Sequence, residues 1–175
     1  HFNVFHDQGE YVNPIFKTAE NWVDDDKGKQ GTEVKGFSTD IVTDQTIDWI
    51  RNRDKNKPFM MCCHFKATHE PWDFPERMKH LYDDVVGWRW ETASKDPAAW
   101  WCQYPELPFS TKGMDKVAAR KKIYQKMIKD YLRCGATIDD NIGRLLKMLD
   151  EEGLAKNTII VYVSDQGYFL GEHGM

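Results

Sequence analysis

The 175-residue chain is 41% apolar, 30% charged and 13% aromatic, with seven tryptophans and a formal net charge of −4. Those proportions suit a globular protein able to bury one core, and the acidic balance gives no electrostatic footing for nucleic acid or an anionic membrane. No apolar run approaches the roughly 18 residues of a membrane-spanning helix, and Cys62, Cys63, Cys102 and Cys134 lack the paired spacing of a metal cluster.

The opening, His1 to Asn21, has Gly9, Asn13 and Pro14 among scattered aromatics and reads as irregular structure or an edge hairpin. Asp24 to Gly31 is a polar, glycine-punctuated loop; its aspartates suit a solvated turn better than a cation site. Val34 begins a short strand or leads into the next helix. That helix starts at Ser38 or Thr39, with the hydroxyl as N-cap and Asp40 near the positive end of the dipole. Val42, Thr46, Trp49 and Ile50 then fall on one face, before the polar run Arg51 to Lys57. Pro58 opens an apolar stretch, Phe59 to Phe65, which predicts a strand buried on both faces.

His64 to Pro75 reads as a loop, Arg77 to Tyr82 as a helical turn, and Asp83 to Gly113 as a long tryptophan-bearing loop of functional or inserted character. Tyr131, Gly135, Ile138, Ile142, Leu145 and Leu149 step by four and three residues, and Tyr124, Met127 and Ile128 extend the pattern upstream. One long helix, or two joined near Gly135, is predicted from Asp115 to Glu152, with Gly153 as its left-handed terminator. Ile159 to Val163 follows as a second buried strand. Two successive helix–loop–strand units predict an α/β fold with a parallel sheet.

In such folds ligands bind outside the carboxyl ends of the strands. Past the second strand, Asp165 and Gln166 offer a carboxylate and a carboxamide oxygen, donors suited to Ca²⁺ or Mg²⁺. Two ligands do not complete a cation site, and a surface turn capped by Asp165 explains the pair equally well. Past the first strand, His69 can act as a general acid or an anion donor, with Lys66 as a second cation for the same oxyanion. Taken alone, each is better read as an ordinary loop residue. Together the two strand ends describe a pocket for a tetrahedral oxyanion, phosphate or sulfate.

Four stretches carry a resemblance. Asp7-Gln8-Gly9-Glu10-Tyr11-Val12-Asn13-Pro14 is similar to a Gly-Gln-Gly-x-Tyr-x-Asn-Pro segment. Lys57-Pro58-Phe59 through His64-Phe65-Lys66-Ala67-Thr68-His69-Glu70-Pro71-Trp72 is similar to a strand followed by a His-Lys-Ala-Pro-His-x-x-Trp loop. Tyr124 to Arg144, with Asp130-Tyr131-Leu132-Arg133-Cys134 and Asp139-Asp140-Asn141, resembles a long helix. Ser164-Asp165-Gln166-Gly167 with Gly171-Glu172-His173-Gly174 resembles a late metal-binding turn. In this order they resemble the sulfatase family of the alkaline-phosphatase superfamily, particularly its carbohydrate- and aryl-sulfatase members.

The resemblance implies an α/β, alkaline-phosphatase-like three-layer sandwich with a largely parallel central sheet, only part of it present. Residues 1–175 would be the central part of one catalytic domain, lacking the nucleophile region and a C-terminal subdomain. It implies hydrolysis of a sulfate ester, on a glycan or a sulfated small molecule, by a formylglycine made from a cysteine in an upstream segment. Asp165 and Gln166 would ligate Ca²⁺ or Mg²⁺, His69 would bind sulfate and protonate the departing alcohol, and Lys66 would assist. His173 and Trp72 would border the sugar site or support it. A periplasmic, extracellular or lysosomal setting follows from the same family.

The chain departs from the family pattern in lacking the Cys-x-Pro-x-Arg nucleophile motif; Cys102 is followed by Gln103-Tyr104-Pro105-Glu106, and Cys63 and Cys134 fit no better. These residues alone are therefore predicted inactive. A phosphodiesterase or phosphonate hydrolase of the same superfamily remains an alternative, although Gln166 stands where two-metal members generally place histidine. So does a catalytically inactive domain that binds sulfated glycans through the tryptophan-rich segment.

Overall fold

The computed structural model describes residues 2–5, 8–22, 31–85, 107 and 109–172. Three short strands open the chain: β1 (Asn3–Phe5), β2 (Ile15–Thr18) and β3 (Thr32–Glu33). They form an antiparallel sheet in the order β1-β2-β3, with Phe5 opposite Phe16 and Phe16 opposite Thr32. Of the two readings of the opening stretch, irregular structure or an edge hairpin, the antiparallel pairing of β1 with β2 answers to the hairpin. Phe16 points inward and packs with Phe5, Ile41 and Val42.

Helix α1 spans Ser38–Asn52, beginning where the sequence predicts, but neither Ser38 nor Thr39 caps it. The capping position is Phe37, and the Ser38 N–H donates instead to the Tyr11 carbonyl at 2.7 Å. A backbone oxygen from across the chain thus takes a donor that a hydroxyl normally would. Asn13 fixes this entry. Its N–H donates to the Gly36 carbonyl at 2.8 Å, and its side-chain oxygen accepts from the Gly36 N–H at 3.0 Å.

Helix α2 is a single element of 36 residues, Lys116–Glu151, unbroken at Gly135. The Asp115 carboxylate accepts from the N–H groups of Val117 and Ala118 at 2.9 and 3.1 Å, so this end carries the side-chain cap that α1 lacks. At the far end Gly153 takes φ +69°, and the Leu154 N–H returns to the Leu149 carbonyl at 2.8 Å. That is the glycine-terminated closure that the sequence predicts. Among the described residues no helix is long and apolar enough to cross a membrane.

The two helices run parallel. Asp40 meets Asn141, Asp44 meets Arg144, and Arg51 meets Glu151 and Glu152, while Ile50 packs on Met148 and Leu149. Asn141 is fully buried at the centre of this seam; its amide donates to Asp40 at 2.7 Å and to the Thr137 carbonyl at 2.9 Å. Burial alone would raise the Asp40 pKa, but hydrogen bonds from Arg77 and Asn141 outweigh it and hold the carboxyl below its ordinary range. A depressed folded-state pKa stabilises the fold above the unfolded value of about 3.9 and is lost as pH falls through the folded value. Wild type should therefore lose stability on acidification below about pH 4 by a component that Asp40→Asn lacks, as read by thermal melts across that range.

A buried charge cluster braces the first half of α2. Asp130 is 1% exposed and Arg133 8% exposed; Arg133 donates to Asp130 at 3.3 Å, to the Leu81 carbonyl at 2.9 Å and to Asp83 at 2.5 Å, and Lys126 also pairs with Asp130. Removing one partner of such a pair leaves a charge with too little compensation. Lys126 softens that loss, so Arg133→Ala should cost about 3 kcal/mol, read as a lowered urea midpoint.

The two predicted central strands differ from expectation. Phe59–Phe65 runs extended with alternate residues inward: Phe59 and Met61 pack on the Ile50 cluster, and Cys63 and Phe65 on the Phe16 cluster, while Met60 is 86% exposed. Ile159 to Val163 is exposed along its length, with Ile159 at 93% and Val163 at 78%. Neither segment forms a strand ladder among the described residues. Burial on both faces requires hydrogen-bonded neighbours and a covering layer on each side. Here α1 and α2 cover one side of Phe59–Phe65, and Ile159–Val163 gains no cover.

Candidate active site

The parallel helices explain why distant residues meet. Both end at one side of the molecule, and each is followed by an extended segment that turns back. Fifteen helical residues rise about 22 Å, while the extended runs 59–65 and 159–163 cover about 23 and about 17 Å, so each return travels back over most or all of the length of α1. Residues just past the two segments therefore arrive together.

They line one cleft of about 260 Å³, with His64, Lys66, Thr68 and His69 from one segment and Ser164, Asp165, Gln166 and Tyr168 from the other. Phe5 and Gln8, from the sheet and the loop after it, close a third side. Lys66, His69, Asp165 and Gln166, singled out in the sequence from two separate strand ends, thus share one cavity. Trp72 does not line it; it is buried in the core beside Tyr124 and Met127. His173, Cys102 and most of the tryptophan-rich loop lie outside the described residues.

The His69 loop is held from three directions. The Tyr11 hydroxyl donates to the His69 carbonyl at 2.6 Å and lies 3.3 Å from the Cys134 sulfur. The Trp72 indole donates to the Thr68 carbonyl at 2.8 Å, and the His69 N–H donates to the Lys66 carbonyl at 2.9 Å. Burial pushes the Tyr11 phenol far above its ordinary pKa and the Cys134 thiol up to about 11, so both remain neutral hydrogen-bonding groups. Cys134 is also fully buried, so its sulfur is out of reach of a substrate in the cleft.

His69 itself is oriented by its neighbour. Its Nδ1 lies 2.6 Å from the Glu70 carbonyl oxygen, which can only accept, so Nδ1 carries a proton and Nε2 is the atom left for proton exchange. Lys66 donates to the Gln8 carbonyl at 3.3 Å and lies 5.2 Å above the Tyr11 ring, which keeps its ammonium at the cleft. On the opposite wall Asp165 and Gln166 are solvent-exposed. Their donors are all oxygen, as a hard cation requires, but supply two of the six or more ligands that Ca²⁺ or Mg²⁺ takes. Among the described residues no group of three or more His, Cys, Asp or Glu side chains gathers into a cation site.

The structure adds residues that reading the sequence did not single out for the cleft. The Tyr168 hydroxyl donates to the Glu70 carboxylate and so joins the two walls. That hydrogen bond is the main reason the Glu70 carboxyl sits below its ordinary range; Tyr168 is pushed up to about 12, by burial first and by Glu70 second. His64, Thr68 and Ser164 also reach the cleft. Their sequence signal is adjacency to the ends of the two apolar runs, within the stretches that carry the resemblance.

The family model described as Sulfatase matches residues 4–175. An N-acetylglucosamine-6-O-sulfatase of Bacteroides thetaiotaomicron is 34% identical, over 97% of this chain and 38% of its own length. An arylsulfatase of Clostridium perfringens is 30% identical, over 82% of this chain and 29% of its own. A solved structure of a protein in complex with its substrate, D-glucosamine-2-N,6-O-disulfate, aligns with a TM-score of 0.74 at 29% identity, covering 99% of this chain and 45% of that one. The chain thus spans less than half the length of each of these proteins.

Proposed function

The chain belongs to the sulfatase family, and from that premise we propose that it supplies the central part of the catalytic domain of an enzyme that hydrolyses a sulfate ester on a glycan. Its fold is the α/β, alkaline-phosphatase-like architecture of the family. The family in general works with a formylglycine and a divalent metal. What supports the reading most is the meeting of Lys66 and His69 with Asp165 and Gln166 in one cleft.

The roles follow from chemistry and placement. Asp165 and Gln166 would contribute oxygen ligands to Ca²⁺ or Mg²⁺, and the cation when bound would neutralise charge on the sulfate. Lys66 presents a fixed ammonium to a sulfate oxygen. His69, with Nδ1 committed to Glu70, directs Nε2 toward the alcohol oxygen that departs and donates the proton it needs. Trp72 supports the loop through Thr68, and His173 is kept as a sugar contact. The formylglycine belongs to a segment outside these residues.

A sulfated amino sugar is the substrate class we favour, because both the 34%-identical relative and the aligned substrate complex carry one in their names. A periplasmic, extracellular or lysosomal setting is part of the same proposal. Peptide mapping of the full-length protein tests it. A Cys-x-Pro-x-Arg peptide with its cysteine converted to the aldehyde supports the sulfatase reading. An unconverted serine or threonine at that position, together with a second metal position, redirects the assignment to a phosphodiesterase or phosphonate hydrolase, and an unmodifiable residue to a glycan-binding domain.

A further inference from the structure

We propose that Glu70 and Tyr168 form a clasp that sets the spacing between the His69 wall and the Asp165–Gln166 wall of the cleft, making both positioning residues. The inference rests on the functional reading above. The hydroxyl of Tyr168 donates to the Glu70 carboxylate across 98 residues of chain. Each end of that bond sits against a working group. Glu70 follows His69 directly and holds its ring through the carbonyl at 2.6 Å; Tyr168 lies two residues beyond Gln166.

The tyrosine ring is itself anchored. It meets Trp72 edge-on at 5.6 Å and 79°, and Tyr131 at 6.0 Å and 80°, while Trp72 meets Tyr131 at 6.0 Å and 87°. Trp72 in turn holds the Thr68 carbonyl at 2.8 Å, and Tyr131 belongs to α2. The segment leading into the Asp165 turn has little else: Ile159 to Val163 is exposed and forms no ladder among the described residues. A charge-assisted bond from a ring fixed on α2 gives that turn a defined distance from His69. Supports of this kind behind metal ligands and catalytic groups typically carry ten- to a hundredfold in affinity or rate.

The test uses the full-length protein with three variants. Tyr168→Phe deletes only the hydroxyl and keeps the ring triad. Glu70→Ala deletes the acceptor, and Glu70→Gln keeps an oxygen that accepts the same bond. We expect Tyr168→Phe and Glu70→Ala each to lower kcat about tenfold or more with an unchanged thermal midpoint, and to weaken Ca²⁺ affinity, titrated with the metal alone, by a similar factor. Glu70→Gln should recover most of both losses, and the double variant Tyr168→Phe/Glu70→Ala should be no worse than either single one. Losses under twofold in Tyr168→Phe, or a Glu70→Gln as impaired as Glu70→Ala, overturn the clasp. If the wild type releases no sulfate, the functional reading fails separately. Amide exchange then decides the clasp. Faster exchange in both 66–72 and 164–168 on Tyr168→Phe supports it, and unchanged exchange in both overturns it.

Discussion

Asp165→Ala should reduce kcat/KM of the full-length protein on a sulfated amino sugar by about a thousandfold or more, equivalent to about 4 kcal/mol of transition-state stabilisation. Asp165 is the one carboxylate among the described residues lining the cleft. A hard cation holding a sulfate draws its affinity from anionic oxygen first and neutral carbonyl oxygen second. Gln166→Ala, which removes only the neutral donor, should therefore cost less. The diagnostic feature is the cation titration. Asp165→Ala should shift the concentration for half-maximal activity upward, and saturating Ca²⁺ should restore part of the rate. Equal rates for wild type and variant would remove Asp165 from the site.

His69→Ala should lower kcat by about 10²- to 10⁴-fold, the range for a positioned general acid. The loss should depend on the leaving group. A sugar alcohol is a poor leaving group and needs a proton as the S–O bond breaks, whereas a phenolate with electron-withdrawing substituents departs without one. His69→Ala should therefore be severely impaired on a sulfated sugar and much less so on an activated aryl sulfate. A uniform loss on both would mean that His69 binds sulfate without acting as the acid. Because the Glu70 carbonyl fixes Nδ1 as a donor at 2.6 Å, the transferable proton belongs to Nε2.

Local pattern carried the helices well. The three-and-four stepping of α2 and the glycine after it are properties of a single segment, and helix formation needs no partner to be recognised. The cap of α1 was illegible for the opposite reason. Its first donor is satisfied by the Tyr11 carbonyl, a contact made across 27 residues that no Ser or Thr near the helix start reveals. The apolar runs 59–65 and 159–163 are extended but form no ladder among the described residues, because ladder formation depends on a neighbour, and composition says nothing about which neighbour is beside a strand.

The cleft was legible through placement. Residues just past each run converge because two parallel helices are each followed by an extended return over most or all of the length of α1, and the sequence shows both lengths. What it does not show is which side chains cross between the walls. Glu70 and Tyr168 are each unremarkable in their own segments; only their juxtaposition gives them meaning. Trp72 illustrates the same limit. A tryptophan after proline suits a sugar rim or a core equally, and its 4% exposure decides for the core.

The most direct test is sulfate release by the full-length protein from 6-O-sulfated N-acetylglucosamine, run beside the matching 6-phosphate, with and without a chelator. The account predicts release of sulfate that stops when the divalent cation is removed, with little or no release of phosphate. Phosphate release at a comparable rate, or sulfate release indifferent to the chelator, would contradict it.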